Sequence, residues 1–287
     1  MHVFSRLLPS LASAYALQAA FALYCVPTQN DIFYDLAGSL GFLSTTFISL
    51  YYPHLKAKFN GQPGSLPSLL SFAPRQLLLS GALSIWTIRL GLFFLFPRAL
   101  KNGGDSRFDE IKKEPVKFTL FWLGQATWVF LVGLPVYMAN TLPASLHPPL
   151  GARDYLSFGL FAGSLLFEMI ADKQKSNWRA AKNAKQHDEK FISSGLWSIS
   201  RHPNYVGEVG IQAGIWALAT GTLQAGYFPP GSIALAGLSP IVTYLLLRKV
   251  SGVPPLEEAG DKKFGNDLGW AHYKKTVPIF WPGVSPE

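Results

Sequence analysis

The run FTLFWLGQATWVFLVGLPVYMA, residues 118–139, holds no charged side chain. A helix needs about 20 mostly apolar residues to cross a bilayer, and this run meets that length. It reads as a membrane span, and that reading sets the fold class against which the rest of the chain is judged.

Composition agrees with it. Of the 287 residues, 49% are hydrophobic and 15% are charged, whereas soluble domains carry roughly 25% charged residues. Low charge, 14% aromatic content and repeated apolar runs describe an all-α, polytopic transmembrane helix bundle. About seven spans are expected: Ser10–Val26, Ile32–Tyr52, Gln76–Pro97, Phe118–Ala139, Tyr155–Ala171, Val206–Thr222 and Gly231–Leu247. The first follows Arg6 and reads as a span or a signal-anchor. It divides the chain into an N-terminal hydrophobic segment, 1–31, and a membrane domain, 32–287.

The formal charge of +8 would suggest nucleic acid in a soluble protein. Here the bases crowd into a few loops, which is the pattern of the positive-inside rule, and no nucleic-acid partner is expected. Most of the lysines and arginines lie in segments 98–117 and 172–205 and in the tail from Arg248. That asymmetry puts these segments and the C-terminus in the cytoplasm, with the polar groups gathered at a cytoplasmic mouth. Cys25 is the single cysteine, so no internal disulfide and no cysteine-based metal site can form. No metal is expected.

Four of these polar stretches need explaining. In KNGGDSRFDEIKKEP, 101–115, Gly103-Gly104 permits a tight turn, with Asp105 and Arg107 just after it. It reads as a solvated loop or as part of a binding site. In FEMIADKQKSNWR, 167–179, Glu168, Asp172 and Lys175 fall on one face of a helix leaving the membrane. An acid within a span is a functional candidate, although a salt bridge to Lys175 would also explain it. In SGLWSISRHPNYVGEVG, 194–210, Pro203 suits the first turn of a helix whose N-terminus faces the cytoplasm. Free N–H groups and the helix dipole make that end a ready anion site, to which Arg201 and His202 add charge and donors. Anchoring to lipid headgroups is the alternative, but four polar residue types in six positions exceed what anchoring needs. The tail RKVSGVPPLEEAGDKKFGNDLGWAHYKKTVPIFWP, 248–282, suits an interfacial helix or a lid over a ligand. Inside the spans, Arg89 and Gln125 stand out, and Gln125 could simply bridge two helices. The chain has no Gly-x-Gly-x-x-Gly, Walker, His-Glu-x-x-His or Gly-x-Ser-x-Gly element.

GLWSISRHPNYVGE, residues 195–208, resembles the signature of the steroid 5-alpha-reductase-like membrane proteins, in the branch known as DUF1295. WTIRLGLFFLFPR (86–98), GGDSRF (103–108), Gln125 with Pro135, ADKQ (171–174) and GVPPLEE (252–258) are similar to further elements of that branch and run in the same order. The resemblance covers roughly residues 32 to 282. It implies an integral membrane oxidoreductase, in the endoplasmic reticulum, that reduces a conjugated carbon–carbon double bond of a steroid-like or other lipid with NADPH. It also implies that Asp105, Arg107, Asp172, Arg179, Arg201, His202, Asn204 and Tyr205 contact the cofactor, with Gln125 and Glu208 as catalytic candidates. Arg-His-Pro-x-Tyr is shared with isoprenylcysteine- and phospholipid-type membrane methyltransferases, so an S-adenosylmethionine-dependent methyltransferase is the alternative. A non-catalytic lipid-binding membrane protein is the third reading.

Overall fold

The computed structural model describes residues 4–62, 64–105 and 108–285, and their regular structure is entirely helical. In chain order the helices are α1 (Leu8–Cys25), α2 (Tyr34–Phe59), α3 (Pro74–Thr87) and α4 (Phe96–Asn102), then α5 (Pro115–Asn140), α6 (Ala152–Asn183) and α7 (Pro203–Leu223). Short helices α8 (Ser232–Ala236) and α9 (Leu238–Leu245) precede α10 (Val253–Phe264) and α11 (Leu268–Thr276). Two π-helical stretches, Ile88–Leu95 and Leu246–Val250, continue α3 and α9 without a break.

Local chemistry sets several helix starts. Proline opens α3, α5 and α7, where a missing N–H costs nothing. Asp267 caps α11, its carboxylate accepting the N–H groups of Gly269 and Trp270 at 2.7 and 3.2 Å.

Among the described residues, five helical stretches are long and apolar enough to cross a membrane: Ser5–Cys25, Pro74–Asn102, Pro115–Asn140, Ala152–Asn183 and Ser232–Phe264. Five of the seven expected runs thus form helices of membrane-crossing length and composition. The runs expected at Ile32–Tyr52 and Val206–Thr222 do form helices, α2 and α7, but their composition falls short. The physical reason is visible in what they bury. α2 turns Ser39, Thr45, Thr46 and Ser49 inward, and α7 does the same with Glu208, Gln212, Thr220 and Thr222. A helix that meets other helices through small and hydroxylated side chains need not be as apolar as one that meets lipid.

The chain forms two compact units, residues 1–157 with 215–239, and residues 158–214 with 240–287. In the first, α1, α2 and α5 pack on one another, and α3 packs on α2 and α5. Its interior is aromatic, with Phe42, Trp86, Phe118, Trp122 and Tyr137 all but sealed from solvent.

A polar latch closes one end of this unit. Arg75, 2% exposed, meets Asp154 side-on, with Nε on Oδ1 at 2.8 Å and Nη2 on Oδ2 at 2.7 Å. Its Nη1 and Nη2 also donate to the carbonyls of Pro148 and Pro149 at 2.9 and 3.0 Å. Beside it, His147 Nε2 donates to the Leu142 carbonyl at 3.2 Å and Nδ1 accepts from the Thr222 hydroxyl at 3.1 Å. Burial pushes the His147 imidazole down to about 4, and the nearby Arg75 charge adds to the effect.

In the second unit, α10 follows the π stretch 246–250. The side chains of Val209, Val253 and Phe280 form a small core, with Tyr205, Tyr244 and Leu247 packed around it.

Candidate functional site

The second unit brings the Arg-His-Pro-Asn-Tyr stretch into a built cluster. It starts from a 3-10 turn, Gly195–Ser198. Gly195 has φ +60°, and a Cβ there would lie 2.6 Å from the side chain of Gln174 on α6. Only glycine tolerates both conditions at once. Gln174 Oε1 in turn accepts the Leu196 N–H at 2.9 Å. Trp197 is buried, its indole N–H donating to the Ala171 carbonyl at 3.1 Å, and Lys175 Nζ lies 4.5 Å from its ring centroid. The buried Tyr273 hydroxyl donates to the Trp197 carbonyl at 2.6 Å, and burial raises its phenol above the ordinary range.

Residues 200–202 are then fixed from the C-terminal side. Ser200 Oγ donates to the Phe280 carbonyl at 2.6 Å and Arg201 N–H to the Pro278 carbonyl at 2.9 Å. His202 leads into α7, and Pro203 is the first residue of that helix. The sequence reading of this stretch as a helix start therefore holds. Just inside, α7 passes α6 at Gly207, where a Cβ would stand 2.7 Å from Glu168 Cβ.

The side chains of Arg201 and His202 converge on one carboxylate. Arg201 Nη1 donates to Glu257 Oε2 at 2.5 Å, and His202 Nε2 lies 2.9 Å from Glu257 Oε1. Side-chain exposures are 2% for Arg201, 6% for His202 and 14% for Glu257, so the contacts are made largely out of water and count for more than a surface pair. His202 stacks on Tyr205, with centroids 5.6 Å apart and planes 8° from parallel. Burial holds the imidazole below its usual range, against the pull of Glu257 in the opposite direction.

Even so, the cluster is incomplete. Arg201 Nε and His202 Nδ1 are both buried and have no partner among the described residues. A buried polar atom left unpaired costs about 1–3 kcal/mol, and native structures keep few of them.

The other predicted residues are distributed as follows. Asp172 is half-buried and Arg179 exposed, both on α6; Asn204 is half-buried in the first turn of α7, and Glu208 is buried one turn on. Gln125 belongs to the first unit, where its amide nitrogen donates to Gln18 Oε1 and to the Tyr34 carbonyl, both at 2.9 Å. Those bonds tie α5 to α1 and α2. Asp105 also lies in the first unit. Its N–H donates to the buried Asp31 at 2.6 Å, and Lys112 joins the same carboxylate at 2.7 Å. Hydrogen bonding to Asp31 raises the Lys112 ammonium above its ordinary value. Arg107 lies outside the described residues. A cavity of about 400 Å³ lined by Lys190 and residues 261–267 contains none of the predicted residues.

Two residues of interest were absent from the expected site. Glu257 was read within a tail that suits an interfacial helix or a lid and within the GVPPLEE element of the resemblance, not as a site residue; GVPPLEE, two carboxylates directly after a proline-opened helix start, was its signal. Gln212, in the middle of α7, is fully buried, and neither its Oε1 nor its Nε2 has a partner among the described residues.

Comparison with known proteins adds a family and distant relatives. The chain is 28% identical over 215 residues to the Delta(14)-sterol reductase of Neurospora crassa, an alignment covering 59% of this chain and 42% of that protein. It is 25% identical over 162 residues to an uncharacterized protein of Schizosaccharomyces pombe, covering 48% of this chain and 46% of that one. The chain thus spans less than half the length of these curated relatives. No solved structure matches it significantly. The profile of the DUF1295 family, described as a protein of unknown function, matches residues 28–277. With that match laid over the Arg-His-Pro-Asn-Tyr cluster and the membrane-length helices, the chain belongs to the DUF1295 family.

Proposed function

We propose that this chain is an NADPH-dependent membrane oxidoreductase that reduces a conjugated carbon–carbon double bond in a steroid-like or other lipid. One observation carries the reading. Arg201 and His202 are buried, are held in place by Glu257, and still keep a buried polar atom each without a partner among the described residues. A frame this well fixed with two hydrogen-bonding groups left over suits a polar ligand better than a lipid anchor, which would face the headgroups. The name of the Neurospora relative, a Delta(14)-sterol reductase, supports the reaction class.

In this reading Arg201, His202, Asn204 and Tyr205 hold the cofactor at the start of α7, and Asp172 and Arg179 join them from α6. NADPH, when bound, supplies a hydride. The chain's own residues do the rest. Glu257 keeps the guanidinium and imidazole in one orientation, so no reorganisation is needed when ligand arrives. Burial of the cluster keeps water away and strengthens each charge contact. Glu208, buried one turn into α7, is the catalytic candidate nearest this cluster in the chain, and Gln125 is the candidate in the first unit. Residence in the endoplasmic reticulum membrane, with segments 98–117 and 172–205 and the C-terminus cytoplasmic, belongs to the same proposal. A glycosylation reporter fused after residue 287 tests it, and its modification would overturn that orientation.

Ligand-induced thermal stabilisation of the detergent-purified chain tests the function. A ligand that binds only the folded state raises apparent stability by mass action. NADPH is expected to stabilise wild type and not Arg201→Ala or Asn204→Ala. Stabilisation by S-adenosylmethionine alone would replace the reductase reading with a methyltransferase. Indifference to both at millimolar concentration would end both.

A further inference from the structure

The two unpaired atoms in the Arg201–His202 cluster differ in chemistry, and the difference says what the missing partner must offer. Arg201 is always protonated, so its Nε is a donor and needs an acceptor. His202 is decided by Glu257. A carboxylate only accepts, so the Nε2 facing it at 2.9 Å carries the proton. Burial disfavours the imidazolium, which leaves Nδ1 as a bare lone pair that needs a donor. A phosphate at neutral pH brings acceptors only. It could satisfy Arg201 Nε but would set its oxygens against the lone pair of His202.

We propose that Arg201 Nε and His202 Nδ1 together read a ligand group with an acceptor and a donor side by side, a primary carboxamide, so that the Arg-His pair takes the nicotinamide end of the dinucleotide rather than a phosphate. The inference rests on the NADPH reading above. The carboxamide oxygen accepts from Arg201 Nε and its NH2 group donates to His202 Nδ1. Glu257, which touches the other edge of both side chains, acts as a positioning residue that sets the tautomer. Tyr205, stacked on the imidazole, keeps the ring from turning.

The test compares two dinucleotides on the purified full chain: NADPH, and its reduced 3-acetylpyridine analogue, in which a methyl ketone replaces the carboxamide. The analogue keeps the acceptor and lacks the donor. Wild type is expected to bind NADPH about five- to tenfold more tightly, the scale of one neutral hydrogen bond. In His202→Gln, whose amide can still reach Glu257 from the Nε2 position but has nothing at Nδ1, that preference is expected to vanish. Arg201→Lys keeps the charge and removes Nε; it is expected to weaken both dinucleotides and retain the preference. Equal binding of the two by wild type, which needs no variant to fold, overturns the inference and leaves the NADPH reading standing. A preference that persists in His202→Gln overturns it as well. Failure of wild type to bind either dinucleotide overturns the NADPH reading, and this inference with it.

Discussion

Arg75 and Arg201 are both buried and both hold a carboxylate, and they hold it differently. Arg75 meets Asp154 side-on through Nε and Nη2, and carbonyls of Pro148 and Pro149 take its remaining contacts. Arg201 meets Glu257 end-on through Nη1 alone, and its Nε is left without a partner among the described residues. The neighbouring histidines repeat the contrast. His147 uses both ring nitrogens, on Leu142 and Thr222, whereas His202 uses one. Burial is similar in the two arginines, 2% and 4% exposed, so desolvation does not distinguish them. Completeness does. The first cluster is saturated and works as frame; the second is rigid but short of partners, the condition in which a ligand gains most.

The largest expected effect breaks the saturated side. Asp154→Ala leaves Arg75 buried and charged without its anion, which should cost about 3–5 kcal/mol of stability in detergent. A cost under about 1 kcal/mol would mean that Arg75 can find another partner and is no closed frame.

Next comes pH. The His147 imidazole sits at about 4 in the folded chain against 6.5 in the unfolded one, so the unfolded chain binds the extra proton first. The contribution is complete above about pH 6.5 and is lost as pH falls towards 4, amounting to at most about 3 kcal/mol. His147→Gln should flatten that part of the stability profile, and an unchanged slope would assign it to other groups.

On the incomplete side, Glu257→Gln keeps the shape of the contact and removes the charge. It should cost about 2 kcal/mol in the ligand-free protein and weaken stabilisation by NADPH, both read from thermal unfolding. No loss of either would show that Glu257 does not position the pair.

The smallest effect sharpens the argument at a third place. Gln212 is buried with both amide atoms unpaired among the described residues, so Gln212→Leu should raise stability by about 1 kcal/mol. A drop in melting temperature would show that the amide is used within the folded chain.

The sequence made some of this legible. Pro203 marked a helix start, because only the first turn accepts proline freely, and α7 begins there. Arg201 and His202 were visible as polar outliers beside an apolar run. Glu257 was not, since its pairing with His202 crosses 55 residues and no local pattern encodes such a distance. Gln212 was hidden for the opposite reason: one amide among apolar neighbours leaves the hydropathy of the run nearly unchanged. Gly195 admits the side chain of Gln174, a neighbour 21 residues back that no local pattern names. Five of the seven expected runs form helices of membrane length and hydropathy, and which helices face protein is not written in an apolar run. The serines and threonines of α2, buried in the first unit, show how much polarity an inward helix accepts.

The bonds from Ser200 to Phe280 and from Arg201 to Pro278 and Glu257 also set an order in time. The last of these partners follows 80 residues behind the residue that needs it. At a synthesis rate of about 5–20 residues per second, Arg201 and His202 wait roughly 4–16 seconds for the segment that encloses them. During that interval a strong cation and an imidazole stand open at the start of a nascent helix. The cluster therefore forms only after α7 has been made, and a chain stalled before residue 257 would carry most of its helical framework without the partners of Arg201 and His202.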